Sequence, residues 1–431
     1  MGRFKSSTER GAVLIHLAVA MLGLLAFSAL VIDYGIFWVA RRQAQNSADA
    51  GALAGAMGLA YDSPKDFSDT GPAKLAAHAA ATANFVFGAP PDVNITSDIT
   101  FPPCPDDGSL VCVKVDVYRT VARNNPLPTF FARLVGLSTQ DMKATATAKV
   151  VTGNATQCMR PFAILDKWDE YDTSTGGAEY EYNTRADKID PDWNSLTSTF
   201  DKYDSKGEDP NNDLYVPHTT CDPAGSGDDC VVGTGFRLFD DAGNPIDYGR
   251  EIKIKTGSQD QTSAGWFMPI QLQPSDSGAK DYCNNIKGCS GVTNIVGQTV
   301  ETENGNMVGP TDQCLWTDKD SLYSKDPTAK WVPDYFGPGK GAVVSDDFPV
   351  NQSPRIVPLP VINPDEFFAT DPNGHTELTL RNILGFFISH TEDKGGHTQT
   401  VGYLVNVPGF YAGGNVVDPS AAFIAQIVLI R

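Results

Sequence analysis

The chain has 431 residues, 41% of them hydrophobic, and a formal net charge of −19. That is enough length and apolar content for two or three folded units with cores of their own, which excludes a disordered chain. Residues 1 to 42 hold five basic and two acidic residues, a local +3, so the remainder carries −22; such a field repels nucleic acid and excludes polyanion-binding functions.

The first element is an apolar run from Ala12 to Ile32, 21 residues in which His16 and Ser28 are the polar side chains. At about 1.5 Å of rise per residue it reaches about 31 Å, the hydrocarbon thickness of a bilayer, so it predicts a single transmembrane helix with the lipid bilayer as its partner. A cleavable signal has a shorter apolar core of about 7–15 residues before a small-residue cleavage site. Here the helical pattern runs on through Trp38, Arg41 and Arg42. A buried core helix would need neighbours on every side of an all-round apolar cylinder, which the polar remainder does not offer. Arg3, Lys5 and Arg10 precede the run and favour a cytoplasmic tail at 1–10. His16 and Asp33 lie near the two ends of the span; His16 snorkels or stays neutral, or else meets a partner helix, and Asp33 sits at the far interface.

Past the span, Ala40, Ala44, Ala48, Ala52, Ala56 and Ala60 recur every four residues without a proline, and Gly51, Gly55 and Gly58 add small surface. One continuous helix over 11–60 follows. Small stripes permit close helix approach, and two occupants are open: a partner helix, giving an oligomer through this helix, or the chain's own sheet and the alanine-rich helix from Pro72 to Phe85. Period-two alternation then marks strands at Val93–Phe101, Leu110–Ala122 and Asp141–Val151, with a short helix at Leu127–Leu137 ending on Gly136. These make an α+β unit over 61–153. From 154 to 431 the composition turns to glycine, proline, aspartate and aromatics around short apolar runs at Pro161–Leu165, Gly249–Lys255, Gly265–Gln271, Arg355–Ile362, Ile383–His390, Thr400–Val407 and Ala422–Ile430. This predicts a larger, mostly β domain; the last run is too short to span as a helix and reads as a central strand.

Eight cysteines all follow the anchor. Spacings of eight (Cys104, Cys112), nine (Cys221, Cys230) and six (Cys283, Cys289) suit local disulfides and leave Cys158 and Cys314 as a long-range candidate pair, one of the 105 connectivities that eight cysteines allow. No zinc spacing occurs, so an oxidising compartment outside the cytoplasm is expected. Leu165 to Asp213 holds 14 acidic and five basic residues. Asp201, Asp204, Asp209 and Asp213 are weak calcium candidates there, without the ladder of an EF-hand loop; no other cofactor is implied. Catalytic motifs fail on spacing. Gly288-Cys-Ser-Gly291 misses the nucleophile elbow by one residue, and Gly339-Lys-Gly341 lacks the rest of a phosphate loop. His390, Glu392 and His397 have the wrong spacing for a helical zinc site and read as solvated loop residues. No enzyme is expected. A membrane-stalked adhesin or calcium-dependent binding module is the alternative function.

Glu9-Arg-Gly-Ala-Val13, the span, Asp33-Tyr-Gly35, Arg41-Arg-Gln-Ala-Gln-Asn-Ser-Ala-Asp-Ala50 and Ala52-Leu-Ala-Gly55 together closely resemble the N-terminal segment of TadE/TadG-like proteins of Flp pilus (tight adherence) systems, which are type IV pilus-related. Thr129-Phe-Phe-Ala-Arg-Leu-Val-Gly136 and Ala144-Thr-Ala-Thr-Ala148 resemble the region that follows, and Glu303-Asn-Gly-Asn-Met-Val-Gly-Pro-Thr311 and Ser353-Pro-Arg-Ile-Val-Pro-Leu-Pro360 resemble stretches of larger members. The resemblance implies a pilin-like character for the α+β unit. It also implies a single-pass component of the bacterial inner membrane, with a periplasmic or extracellular C-terminal domain. Such a component acts without catalysis in pilus assembly, anchoring or initiation, beside other pilus-assembly or pilin helices. Pilin-type processing would cut after Gly11 with an acid five residues on, where His16 stands; retention of the anchor is expected. A von Willebrand A metal site would need Asp-x-Ser-x-Ser after a strand, but Asp166 is followed by Lys167 and Trp168, and Asp172-Thr-Ser-Thr-Gly176 lacks the last serine.

Overall fold

The structure is a computed structural model and describes residues 8–63, 65–106, 108, 110–172, 178–181, 215, 235–240, 243–255, 267–273, 276, 278–303, 305, 307–370, 376–394, 397–413 and 421–430. It is α+β, with two compact units: Met1–Gly58, Asp66–Lys149 and Ile427–Arg431 in the first, Leu59–Lys65 and Val150–Gln426 in the second. The units are therefore not contiguous stretches as drawn from composition. The end of the chain returns to the first unit as a strand, because backbone pairing can recruit a segment from any distance in sequence.

The first unit begins with α1, a helix of 50 residues from Thr8 to Met57. Beside it lies α2, Pro72–Ala83, opened by Pro72 at its first turn, where a missing amide costs nothing. The sheet is β1 (Ile99–Thr100), β2 (Cys112–Arg119) and β5 (Met142–Thr152), all antiparallel, with residues of the final strand beyond β5. Val113, Val115 and Val117 face Ala148, Ala146 and Ala144 across the ladder, and all six are buried. A valine row beside an alanine row leaves a low, smooth face on which a helix can lie closely. Strand β1 is shorter than the Val93–Phe101 expected. The Asn94 side chain accepts amide bonds from Thr96 (2.9 Å) and Ser97 (3.1 Å), and the Asn94 amide bonds Asp98 at 2.7 Å, an Asx turn that competes with the ladder.

Between β2 and β5 projects a small hairpin, β3 (Leu127–Pro128) paired with β4 (Thr139–Gln140). The expected helix over 127–137 shrinks to a 3-10 turn at Ala132–Val135, closed by Gly136 at φ 94°. Pro126 and Pro128 explain this, since proline disfavours helical backbone before it and removes a donor.

In the second unit the strands are β6 (Ala155–Thr156), β7 (Phe162–Leu165), β8 (Asp169–Asp172), β9 (Ala178–Glu181), β10 (Glu251–Lys255), β11 (Phe267–Gln271), β12 (Asn294–Ile295), β13 (Thr299–Thr302), β14 (Lys330–Val332), β15 (Ala342–Val344), β16 (Ile356–Ile362), β17 (Glu377–Lys394), β18 (His397–Val405), β19 (Val407–Pro408) and β20 (Ile424–Ile430). Seven form one sheet in the order β10-β18-β17-β13-β11-β7-β16, and β16 also pairs with β17. The pairings β17, β13, β11, β7 and β16 thus close into a ring, from which β18 and then β10 extend on β17. Its core holds Phe162, Val357, Leu359, Val361, Ile383, Leu384, Phe386, Phe387 and Leu404. Strand β20 pairs in parallel with β19 through Ile424 and Ala425, a strand as expected and not a second span. Sequence reading missed α3, Gly278–Lys287, whose Tyr282, Asn285 and Ile286 are buried at helical spacing with Asp281 and Lys287 at favourable ends.

Cys104 bonds Cys112 across the β1–β2 turn region as expected. The other described disulfides differ from the spacing argument: Cys158 bonds Cys289 and Cys283 bonds Cys314. Cys283 lies in α3 and Cys289 just past it, and six residues along a helix advance about 9 Å, beyond disulfide reach. Cys221 and Cys230 lie outside the described residues.

Candidate anchor and helix-packing site

The chemistry of α1 changes along its length. From Val13 to Ile32 its large apolar side chains are exposed on all sides, and the most apolar window has a mean hydropathy of 2.4 with none of it buried. A helix this apolar, with its large side chains exposed, is long enough to cross a bilayer. Gly11 and His16 both lie within it. Beyond it the same helix is buried: Ala40, Ala44, Ala48, Ala52 and Ala56 are each at most 2% exposed.

That burial is internal. A Cβ added at Gly55 would come within 2.7 Å of Val113 Cγ1 and 3.1 Å of Ala77 Cβ, and one at Gly58 within 2.7 Å of Ala73 Cα. The glycines set how near α2 and β2 approach. Ser47 Oγ donates to Ala81 O at 2.8 Å and Gln45 Nε2 to Thr145 O at 3.1 Å, tying α1 to α2 and β5. Of the two occupants the alanine stripe admits, the chain's own α2 and sheet are the ones observed for positions 40–56, so the stripe is not an open surface for a partner helix. Ala60 is buried in the second unit, where its carbonyl accepts a 2.5 Å bond from Asn406 Nδ2.

Asp33 stands at the junction, one residue past the apolar run, and is 3% exposed. Its carboxylate accepts the backbone amides of Phe130 (3.0 Å), Phe131 (3.0 Å) and Ala132 (2.6 Å). Charge-assisted bonds of this kind are about twice as strong as neutral ones, and these pin the β3–β4 hairpin to the helix at that height. The root of the hairpin is buried at Leu127 and Thr129, while Phe130, Phe131, Leu134 and Leu137 are exposed. Tyr34 and Trp38 stack edge to face on the next turn, 6.2 Å between ring centroids, both exposed. Sequence reading placed Asp33 at an interface but not its three amide partners; an acid directly after an apolar run is the one signal that pointed there.

Other candidates are spent on structure. Asp166 ends β7 buried, accepting from Tyr215 Oη and the Phe236 and Lys167 amides, each at 2.9 Å, which is a satisfied core carboxylate. Part of Asp172–Gly176 and all of Asp201, Asp204, Asp209 and Asp213 lie outside the described residues. His390 and His397 are in strands β17 and β18, not loops; the continuous apolar run over 383–388 extends as strand past His390 to Lys394. Among the described residues one group of metal-capable side chains gathers, Cys283, Cys314 and Asp318, but its two sulfurs are bonded to each other. A groove of about 770 Å³ between α1 and β5 is lined by Arg42, Gln45, Asn46, Asp49, Thr145 and Thr147 among others.

Buried arginines were also illegible. Arg355 is fully buried and donates to the carbonyls of Ile388 (2.9 Å), Asp326 (2.9 Å), Ala329 (3.2 Å) and Ser389; burial pulls its guanidinium down to about 10. Arg160 collects the carbonyls of Asn285 and Gly288 in the same way.

Residues 11–58 match the family model for Flp pilus-assembly TadE/G-like proteins. This segment is similar to the TadE/G-like family. It coincides with α1 and Gly58, so the matched pattern covers both the bare apolar half and the half packed on α2. No curated protein and no solved structure matches the chain. The TadE/G-like segment therefore carries the functional reading, and the β-rich second unit contributes its own geometry to it.

Proposed function

We propose that this chain is a non-enzymatic, single-span component of a Flp pilus-assembly machine. Its α1 anchors it in the inner membrane with a cytoplasmic N-terminus, and its folded units stand in the periplasm. The observation that carries this reading is a TadE/G-like segment whose first half is an apolar helix without protein cover and whose second half is built into a folded α+β unit. Disulfides at Cys104–Cys112, Cys158–Cys289 and Cys283–Cys314 support an oxidising compartment for everything after the span. Asp166, the candidate acid of the described core, is held in internal hydrogen bonds, which supports a structural role for it. Since α1 spends its small-residue stripe on α2, pilus partners meet other surfaces of the chain.

Two measurements test this. Alkaline phosphatase fused after residue 150 is active if that point lies across the inner membrane, and inactive if the orientation is reversed. Pili counted by electron microscopy should be lost on deleting the chain, return with the intact chain and stay absent with one lacking 12–32. Unchanged piliation in the deletion strain would remove the assembly role.

A further inference from the structure

We propose that the β3–β4 hairpin is a second membrane contact, an apolar tip that dips into the headgroup layer of the leaflet facing away from the N-terminus, with Asp33 setting its depth. The inference rests on α1 spanning the bilayer and adds to it a site outside the span.

Three independent observations converge. The first is height. Asp33 follows Ile32, the last residue of the apolar run, and its carboxylate binds the amides of 130, 131 and 132 at 3.0, 3.0 and 2.6 Å. The hairpin backbone is therefore held about one residue's rise, 1.5 Å, beyond the hydrocarbon edge. The polar interface on each side of a bilayer is about 5–7 Å deep, so side chains at the tip reach it whatever the modest tilt of the helix.

The second is what the tip presents. Leu134 is 82% and Leu137 62% exposed, with Phe130 and Phe131 also open. Four large exposed apolar side chains within eight residues need a cover. Phe130 is backed by Phe87, ring centroids 5.9 Å apart, and Tyr34 and Trp38 at the same end of the span supply the amphipathic aromatics typical of membrane interfaces.

The third is charge. Outside residues 1 to 42 the chain carries −22, yet from Val117 to Gln140 there is no acidic residue and there are three arginines; Arg119 is buried on backbone carbonyls and Arg123 is paired with Asp92 and Asp98, which leaves Arg133 to meet a lipid headgroup. Arg133, in the tip itself, is exposed. A stretch cleared of acid in a strongly acidic protein suits an anionic phospholipid surface. A buried protein interface would not require that clearance.

The test uses the full chain reconstituted in vesicles of phosphatidylethanolamine and phosphatidylglycerol, with a nitrobenzoxadiazole label on Leu134→Cys under non-reducing conditions. Thr100→Cys is the reference: it is exposed and pairs with Lys114 between Val113 and Val115, beside Gly55 and Gly51 of α1, about 30 Å along the helix from Asp33. The wild-type chain gives the labelling background, and carbonate-resistant pelleting reports the anchor separately. The expected result is blue-shifted emission at 134, quenched by doxyl-labelled lipid and not by iodide, with the reverse at 100. In Asp33→Asn, the 134 label should lose its lipid quenching while the chain still pellets. Iodide quenching at 134 equal to that at 100 would place the tip in water and overturn the proposal, and so would protection from both quenchers, which would mean a protein cover. Lipid quenching unchanged in Asp33→Asn would overturn the role given to Asp33.

Discussion

Two halves of one helix answer the same question differently. Between Val13 and Ile32, α1 carries leucines, valines and phenylalanine on every side and exposes them, whereas between Ala40 and Ala56 its alanine and glycine face is buried against α2 and β2. Bulky apolar side chains all round suit a fluid solvent of matching polarity. Small ones suit a solid neighbour, because dispersion is gained only where atoms approach within van der Waals contact. Bulk and position, more than total hydrophobicity, decide which half meets lipid and which meets protein.

The sharpest way to break the contrast is to exchange the chemistries. Leu22→Asp places a carboxylate at mid-span and should cost about 3 kcal/mol of insertion free energy, read by glycosylation mapping in microsomes; equal insertion with wild type would mean that this half does not meet lipid. In the other half, Gly55→Leu drives a side chain into Val113 and Ala77. It should lower the stability of the first unit by about 2–3 kcal/mol in a denaturant titration, and a tolerated leucine would show that the helix pair is loose. Leu22→Ala is the matched control: it should leave that titration unchanged, since Leu22 has no protein neighbour to lose.

A smaller effect is expected at the junction. Asp33→Ala strands three amides, costing about 1–3 kcal/mol locally, and should speed tryptic cleavage at the exposed Arg133 without changing membrane retention; cleavage as slow as wild type would mean the hairpin is held by other contacts. Smallest is a pH effect in the second unit. Burial pushes the Asp62 carboxyl up to about 6, against a hydrogen bond from Asn351 Nδ2 (2.8 Å) that favours its charge. With a folded value above the unfolded one of 3.8, the native state holds the extra proton between those limits. Stability contributed by this group therefore rises as pH falls from 6 to 4 and is lost above 6. The difference in stability between wild type and Asp62→Asn, measured across that range, should shrink on acidification; a difference that does not vary with pH would refute the shift.

Much of the fold was legible because periodicity is local. The apolar run, the four-residue alanine spacing and the alternating valines each state their element within one turn or one strand. The hairpin at 127–140 and the Asx turn at 94–98 were misjudged for an equally local reason, proline and asparagine chemistry that competes with helix and ladder. The burial of Arg355 and Arg160 gave no signal at all, as a buried charge looks like a surface one until its partners, far away in sequence, are assembled around it.

By itself, then, the sequence determined that a helix of membrane-spanning length stands at the front, that it runs on into a small-residue shaft, and that a cysteine-bearing β region follows; each of these is written in the spacing of neighbours. Only the tertiary structure decided that the shaft packs on α2 instead of remaining open, that Cys158 reaches Cys289 and Cys283 reaches Cys314, that the last strand returns to the first unit, and that Asp33 holds a loop from ninety-seven residues on. Those outcomes depend on which distant surfaces fit and which buried polar groups find partners, and neither condition exists until the chain has closed on itself.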